Sequence, residues 1–205
     1  MTPTLIAVTD IARLGWERTE RRLEMILARS VPGAVAVQLR DRSLSAGERY
    51  RFGKQLRKLT RDRQQWLLIN DRLDLALALE ADGVHLGEQS VGASEARQLL
   101  GPSAWISAAC HALDELTAPR LAQADAIVLS PVFQPRKGNP ALGLEALREG
   151  LQAVGAQQSL YALGGVDADA ARRCRELGCG VAAIGALYDG PEPMPLLAAL
   201  DIARE

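Results

Sequence analysis

Eight short apolar runs, spaced almost evenly, constrain this chain more than any other feature: "TLIAVT" (4–9), "AVAVQLR" (34–40), "WLLIN" (66–70), "GVHL" (83–86), "AWISAA" (104–109), "DAIVLS" (125–130), "SLYAL" (159–163) and "VAAI" (181–184). Most are apolar throughout rather than alternating, which marks strands of a parallel sheet covered on its outer face. Helix-like segments separate them. In 16–29, Leu23, Ile26 and Leu27 share one face. In 45–62, Phe52, Leu56 and Leu59 do the same, and Ser45 with Glu48 reads as a capping box. Further helices fit 71–80, 93–100, 112–122, 142–154, 167–177 and 192–203. Eight strand–helix units in 205 residues predict a single (β/α)8 TIM barrel over 1–205. A doubly wound open sheet is the alternative, and eight nearly equal units favour closure.

Composition narrows the function. Lys plus Arg total 24 and Asp plus Glu 25, without the basic excess expected of a nucleic-acid or membrane-surface protein. The basic run "RFGKQLRKLTRDR" (51–63) falls on the outer face of a helix and reads as solvated surface. No apolar stretch reaches the roughly 18 residues of a membrane span. The N-terminus lacks the regions of a signal peptide. Cys110, Cys174 and Cys179 have no C-x-x-C spacing, which suits reduced thiols and a cytoplasmic protein without zinc.

In a barrel, chemistry sits at the C-terminal ends of the strands, and the polar exceptions fall there. Gln38, Arg40 and Arg42 close strand two, and Asn70 and Asp71 close strand three. His111 follows strand five, Ser130 closes strand six, and Arg136 and Lys137 occupy the loop 131–141 after it, a candidate active-site flap. Gly164 and Gly165 follow strand seven and Gly185 follows strand eight. Glycines there bare their amides to a phosphate, with a helix start adding partial positive charge, although a tight turn would use them equally. Arg40, Arg42 and Lys137 form a second cationic set for a carboxylate or pyrophosphate; Arg42 alone also fits a surface role. Asp71 reads either as a helix N-cap or as part of a polar rim. His111 reads as a general acid/base or as a satisfied helix-start histidine. His85 is expected inside the barrel as a structural residue. Cys110 and His111 are sequence neighbours on a strand, point apart, and make no nucleophile pair.

Together "VQLRDRS" (37–43), "INDRLDLALALEADGVHLG" (69–87), His111 before "ALDE", "ADAIVLSPVF" (124–133), "YALGGV" (161–166) and "GVAAIGAL" (180–187) resemble the thiamine phosphate synthases and their sister branch, the thiazole tautomerases (TenI). The resemblance implies a barrel that binds a thiazole phosphate. In the synthase, the thiazole attacks the methylene of an aminopyrimidine pyrophosphate and pyrophosphate leaves. By position it implies that Gln38, Arg40, Asn70 and Lys137 handle the pyrimidine and pyrophosphate. It likewise implies that Gly165, Ile184 and Gly185 cradle the thiazole phosphate, and that Asp71 is one of two aspartates on Mg2+.

Several positions depart from the synthase pattern. The second aspartate position is Ser90, the serine two residues before the histidine is Ala109, and Pro135-Arg136-Lys137 replaces a Thr-x-Thr-Lys. Arg42 stands where a lysine is usual. Pyrophosphate departure relies on metal and dense hydrogen bonding, so these losses are costly. A tautomerase needs only a phosphate cradle, a cation for a carboxylate and an acid/base, here His111. The sequence therefore favours a metal-free tautomerase-like enzyme. A Mg2+-dependent synthase and a non-catalytic thiazole or thiamine phosphate binder are the alternatives. No nucleic-acid or membrane partner is expected, and a homodimer is compatible with the sequence.

Overall fold

Each apolar run forms a strand in the computed structural model, which describes residues 2–136, 138–190 and 192–204. These are β1 (Leu5–Val8), β2 (Val35–Leu39), β3 (Trp66–Asn70), β4 (Gly83–Leu86), β5 (Trp105–Cys110), β6 (Ala126–Leu129), β7 (Ser159–Leu163) and β8 (Gly180–Ala183). They pair in parallel in chain order, and β8 pairs back onto β1 through Leu5 opposite Val181, so the sheet closes. The chain is a (β/α)8 barrel, and the open-sheet alternative falls.

The helices are α1 (Ile11–Leu14), α2 (Trp16–Ala28), α3 (Ala46–Asp62), α4 (Leu73–Ala78), α5 (Ala93–Leu100), α6 (Gly143–Ala153), α7 (Ala168–Glu176), α8 (Gly185–Tyr188) and α9 (Met194–Ala199). Ser45 caps α3 in a reciprocal capping box with Glu48, as its sequence predicts. On the barrel's outer face, Leu23, Ile26, Leu27, Leu56 and Phe52 are buried among strand residues such as Leu5, Val35 and Leu67. Each such side chain contributes roughly 1.5–3 kcal/mol of burial. From the basic run, Lys58 and Arg61 lie on the surface, paired with Asp62 and Glu80. Arg57 instead turns inward and donates to Asp82 at 2.9 Å.

Three helical expectations need correction. The segment 112–122 forms two 3-10 turns, Leu113–Glu115 and Pro119–Leu121. Pro119 has no N–H to continue a helix through its middle. The segment 71–80 is helical only from Leu73, because Asp71 has φ 61° and ends the strand in a left-handed turn. The segment 192–203 shortens to Met194–Ala199, while α1 and α8 add short turns at the C-terminal rim.

Inside the barrel the side chains change character from bottom to top. Ile6, Ala36, Leu68, Trp105, Ala126 and Tyr161 pack as an apolar plug, with Trp105 and Tyr161 rings 5.9 Å apart edge to face. Gly180 makes room for this plug, since a Cβ there would meet the Tyr161 ring at 2.3 Å. Above it lie Gln38, Asn70, His85 and Ser107, all buried. The period-two alternation of each strand puts these polar groups on the inner face and directs Val37, Ile69, Val84 and Ala108 at the helices. The floor of a site is thereby polar and fixed. Cys110, Cys174 and Cys179 are buried free thiols. Among the described residues no helix is long and apolar enough to cross a membrane.

Candidate functional site

The C-terminal mouth of the barrel holds two adjoining cavities, and Arg40 and Arg136 line both. One, of about 720 Å³, lies over β2–β6 and takes in Arg42, Asn70, Asp71, Ser90, His111 and Ser130. The other, of about 610 Å³, lies over β7 and β8 and takes in Arg13, Gln134, Gly164, Gly165, Ile184 and Gly185.

Arg40 is the hinge between the two lobes. Its backbone N–H donates to the Thr9 hydroxyl at 3.1 Å, and that hydroxyl donates to Asp41 at 2.5 Å. Asp41 also accepts the Ala12 amide at 3.0 Å, tying the β1 and β2 loops together. The Arg40 guanidinium itself has no hydrogen-bonding or ion-pair partner among the described residues. Burial lowers its pKa, and repulsion from Arg136 and Arg42 lowers it further. Asp10 and Asp41 offset part of that repulsion, and the half-buried guanidinium keeps its N–H groups available to an anion.

From β2 to β3, side-chain amides run in a relay. Gln38 donates to Asn70 Oδ1 at 3.0 Å, and Asn70 Nδ2 donates to Asp71 at 2.6 Å. Gln38, expected to touch substrate, is only 2% exposed and does not line either lobe; it orients Asn70 from below. The N-cap alternative for Asp71 also falls, because its carboxylate turns away from α4 toward the rim. Oδ1 accepts Ser90 Oγ at 2.5 Å and the Gly87 amide at 3.0 Å; Oδ2 accepts Asn70 and, at 3.0 Å, Arg42 Nη2. Burial works to raise the Asp71 pKa, but the Ser90 hydroxyl, the Gly87 amide and Arg42 outweigh it and the carboxyl titrates below its usual range.

These contacts bear on Mg2+. A carboxylate offers about four lone-pair directions, and all four at Asp71 are filled by protein donors. Ser90 Oγ is engaged at both ends, accepting the Gly87 amide at 2.8 Å while donating to Asp71. Apart from Asp71, Glu88 is the carboxylate lining this lobe, and Ser90 brings no charge. The residues present do not fit Mg2+.

Two histidines reach the larger lobe with different characters. His85 Nδ1 lies 3.0 Å from Ser107 Oγ, whose own proton goes to the Val84 carbonyl. Burial pushes its pKa down to about 4, so it is neutral at physiological pH, a floor residue as expected. His111 Nδ1 lies 2.6 Å from the Ser130 carbonyl and 3.1 Å from Ser130 Oγ. A carbonyl only accepts, so Nδ1 carries a proton, and in the neutral ring Nε2 keeps its lone pair. Glu88 stands 3.8 Å from Nε2. Cys110 points the other way, its thiol donating to the Ala112 carbonyl, so no Cys–His pair forms.

Over β7 and β8 the glycines have stringent reasons. Gly165 has φ +70° and a Cβ there would meet Gln134 at 2.3 Å; Gly164 has φ +103°. Ile184 and Gly185 form the turn into α8, beside Asp189, which pairs with Arg13 at 2.7 Å.

The structure thus gathers Arg40, Arg42, Asn70, Asp71, His111, Ser130, Gly164, Gly165, Ile184 and Gly185 around one mouth. Lys137 lies outside the described residues. The position of Arg136 between the lobes and of Glu88 beside His111 escaped the sequence reading. Glu88 sits directly after Gly87 at the end of β4, the rim location shared by every other site residue.

A model of the family described as thiamine monophosphate synthase matches residues 5–187. The thiamine-phosphate synthase of Moorella thermoacetica is 36% identical over 168 residues, covering 80% of this chain and 75% of that protein. That of Geobacillus thermodenitrificans is 32% identical over 198 residues, covering 93% and 89%. The solved structure of a thiamine phosphate pyrophosphorylase from Pyrococcus furiosus matches with a TM-score of 0.82 at 30% identity, over 97% of this chain and 95% of that one. These relatives are named for the joining reaction, whereas the sequence alone favoured the tautomerase branch.

Proposed function

The chain belongs to the thiamine monophosphate synthase family, and from that premise we propose that it joins a thiazole phosphate to an aminopyrimidine diphosphate with release of pyrophosphate. One observation carries this reading: two adjoining lobes share the cations Arg40 and Arg136. An isomerase acting on one phosphorylated ring needs one lobe. A reaction that unites two phosphorylated molecules needs two, open to each other.

The lobe over β7 and β8 takes the thiazole phosphate, its oxygens approaching backbone that Gly165 and Gly185 leave bare. The lobe over β2–β6 takes the pyrimidine and its diphosphate. Asn70, fixed by Gln38, and His111 Nε2, fixed by Ser130, face the polar edge of the pyrimidine; Nε2 accepts from its amino group. The thiazole nitrogen lone pair forms the new C–N bond at the methylene, and the C–O bond breaks with its electron pair leaving on pyrophosphate. The charge that develops is met by Arg40, Arg42 and Arg136, whose mutual repulsion falls as it grows. Holding both rings across one arginine supplies the proximity that a two-substrate reaction needs.

A second reading, proton transfer on a carboxythiazole phosphate, is favoured by His111 alone, since its tautomer leaves a basic nitrogen toward the cavity. Two incubations separate them. Thiazole phosphate with aminopyrimidine diphosphate is scored for thiamine phosphate, and carboxythiazole phosphate alone is scored for isomerisation. The synthase reading predicts product in the first. Isomerisation without joining overturns it, and tight binding of thiazole phosphate with neither reaction identifies a non-catalytic binder.

A further inference from the structure

We propose that this chain binds and releases its diphosphate without a divalent cation, the Arg42 guanidinium supplying beside Asp71 the charge that a metal would otherwise bring. The inference rests on the synthase reading and goes beyond it.

Asp71 is the anchor. Four donors already occupy its two oxygens, at 2.5 to 3.0 Å. An incoming Mg2+ demands near-octahedral oxygens at roughly 2.0–2.1 Å. To reach Asp71 it would have to displace at least one of these donors. Replacement ligands are scarce, because Ser90 brings no charge and Glu88 is the other carboxylate in this lobe.

Charge points the same way. Arg42 neutralises Asp71, leaving Arg40 and Arg136 unpaired among the described residues. A dication entering this lobe would meet repulsion from the two unpaired guanidiniums, whereas a diphosphate would be attracted by both and could accept from the open N–H groups of Arg42. Arg42 is suited to hold it. It uses Nη2 on Asp71, and its side chain is 62% exposed, so its remaining N–H groups are open to the cavity. A guanidinium fork matches phosphate oxygens in pairs, which the lysine usual at this position in the family does not. Tethering by Asp71 fixes the fork before the ligand arrives.

The test is calorimetric titration of inorganic pyrophosphate into the full chain, in EDTA and again with excess Mg2+. The expected result is binding in EDTA with an affinity within about threefold of that with Mg2+. Arg42→Met is expected to weaken binding in EDTA at least tenfold. Its exposed position leaves folding intact, checked by circular dichroism. Ser90→Asp restores a second carboxylate and is expected to make pyrophosphate binding weaker in EDTA and recoverable by Mg2+. Binding by the wild-type chain only with Mg2+ overturns the inference and leaves the synthase reading standing. No binding under either condition overturns both. Unchanged affinity in Arg42→Met removes Arg42 from the role.

Discussion

The Ser130 carbonyl stands 2.6 Å from His111 Nδ1 and thereby sets which ring nitrogen carries the proton. With that proton committed, the neutral ring offers Nε2 as an acceptor in the proposed joining reaction and as the base in an isomerisation. His111→Gln separates the roles, because an amide accepts a hydrogen bond yet moves no proton. Joining activity is expected to fall about tenfold, the scale of one impaired hydrogen bond. Any isomerase activity is expected to fall at least a hundredfold. Steady-state rates for both reactions on the same preparation provide the check.

Arg40 couples function to instability. Arg40→Met removes a half-buried cation that has no partner among the described residues and that repels Arg136 and Arg42. The ligand-free protein is expected to gain up to about 1 kcal/mol of unfolding free energy. At the same time kcat/KM is expected to fall about 10² to 10³-fold for both substrates, because the residue faces both lobes. Urea titration and initial rates would show the opposed signs; a loss of stability alongside lost activity would contradict the account.

Gly165 tests the smaller lobe in isolation. Alanine there must adopt φ +70° and displace the Gln134 side chain, a strain of about 1–3 kcal/mol. Gly165→Ala is expected to lower stability by that order and raise KM for thiazole phosphate at least tenfold. Pyrophosphate affinity, read by calorimetry, should stay as in the wild type.

His85 predicts a pH signature in stability rather than rate. Its folded-state pKa, about 4, lies below the ordinary 6.5 because burial disfavours the cation. Between those values the unfolded chain binds a proton that the folded chain refuses, so stability is complete above 6.5 and declines as pH falls toward 4. The loss between pH 7 and pH 5 is about 2 kcal/mol. Urea unfolding at both pH values, compared with His85→Leu, isolates the contribution; an equal pH dependence in the variant would assign it elsewhere.

The barrel was legible because each strand is a continuous apolar run and closure needs nothing beyond eight of them in order. The rim was legible for the same reason, since Asn70, His111 and Ser130 are polar residues at the ends of runs that are otherwise apolar. What was hidden depends on contact between distant segments. Nothing local in the sequence says that Ser90 donates to Asp71 or that Arg42 reaches the same carboxylate; partners 19 and 29 positions apart are brought together by the folding of the barrel. The depth of Gln38 was hidden for a related reason. Its alternation with Arg40 puts both on the inner face, but one layer of depth separates a floor residue from a rim residue. The 112–122 segment misled because its apolar spacing was helical while Pro119 was not.

The proposed reaction requires one mouth to hold two anions at once, on either side of Arg40. It is tested most directly by titrating pyrophosphate into protein saturated with thiazole phosphate, with Mg2+ present so that the outcome is independent of how the diphosphate is neutralised. One equivalent of pyrophosphate is expected to bind with thiazole phosphate retained, and both lobes are expected to be filled in a crystal of the ternary complex. One-for-one displacement of thiazole phosphate by pyrophosphate would contradict it.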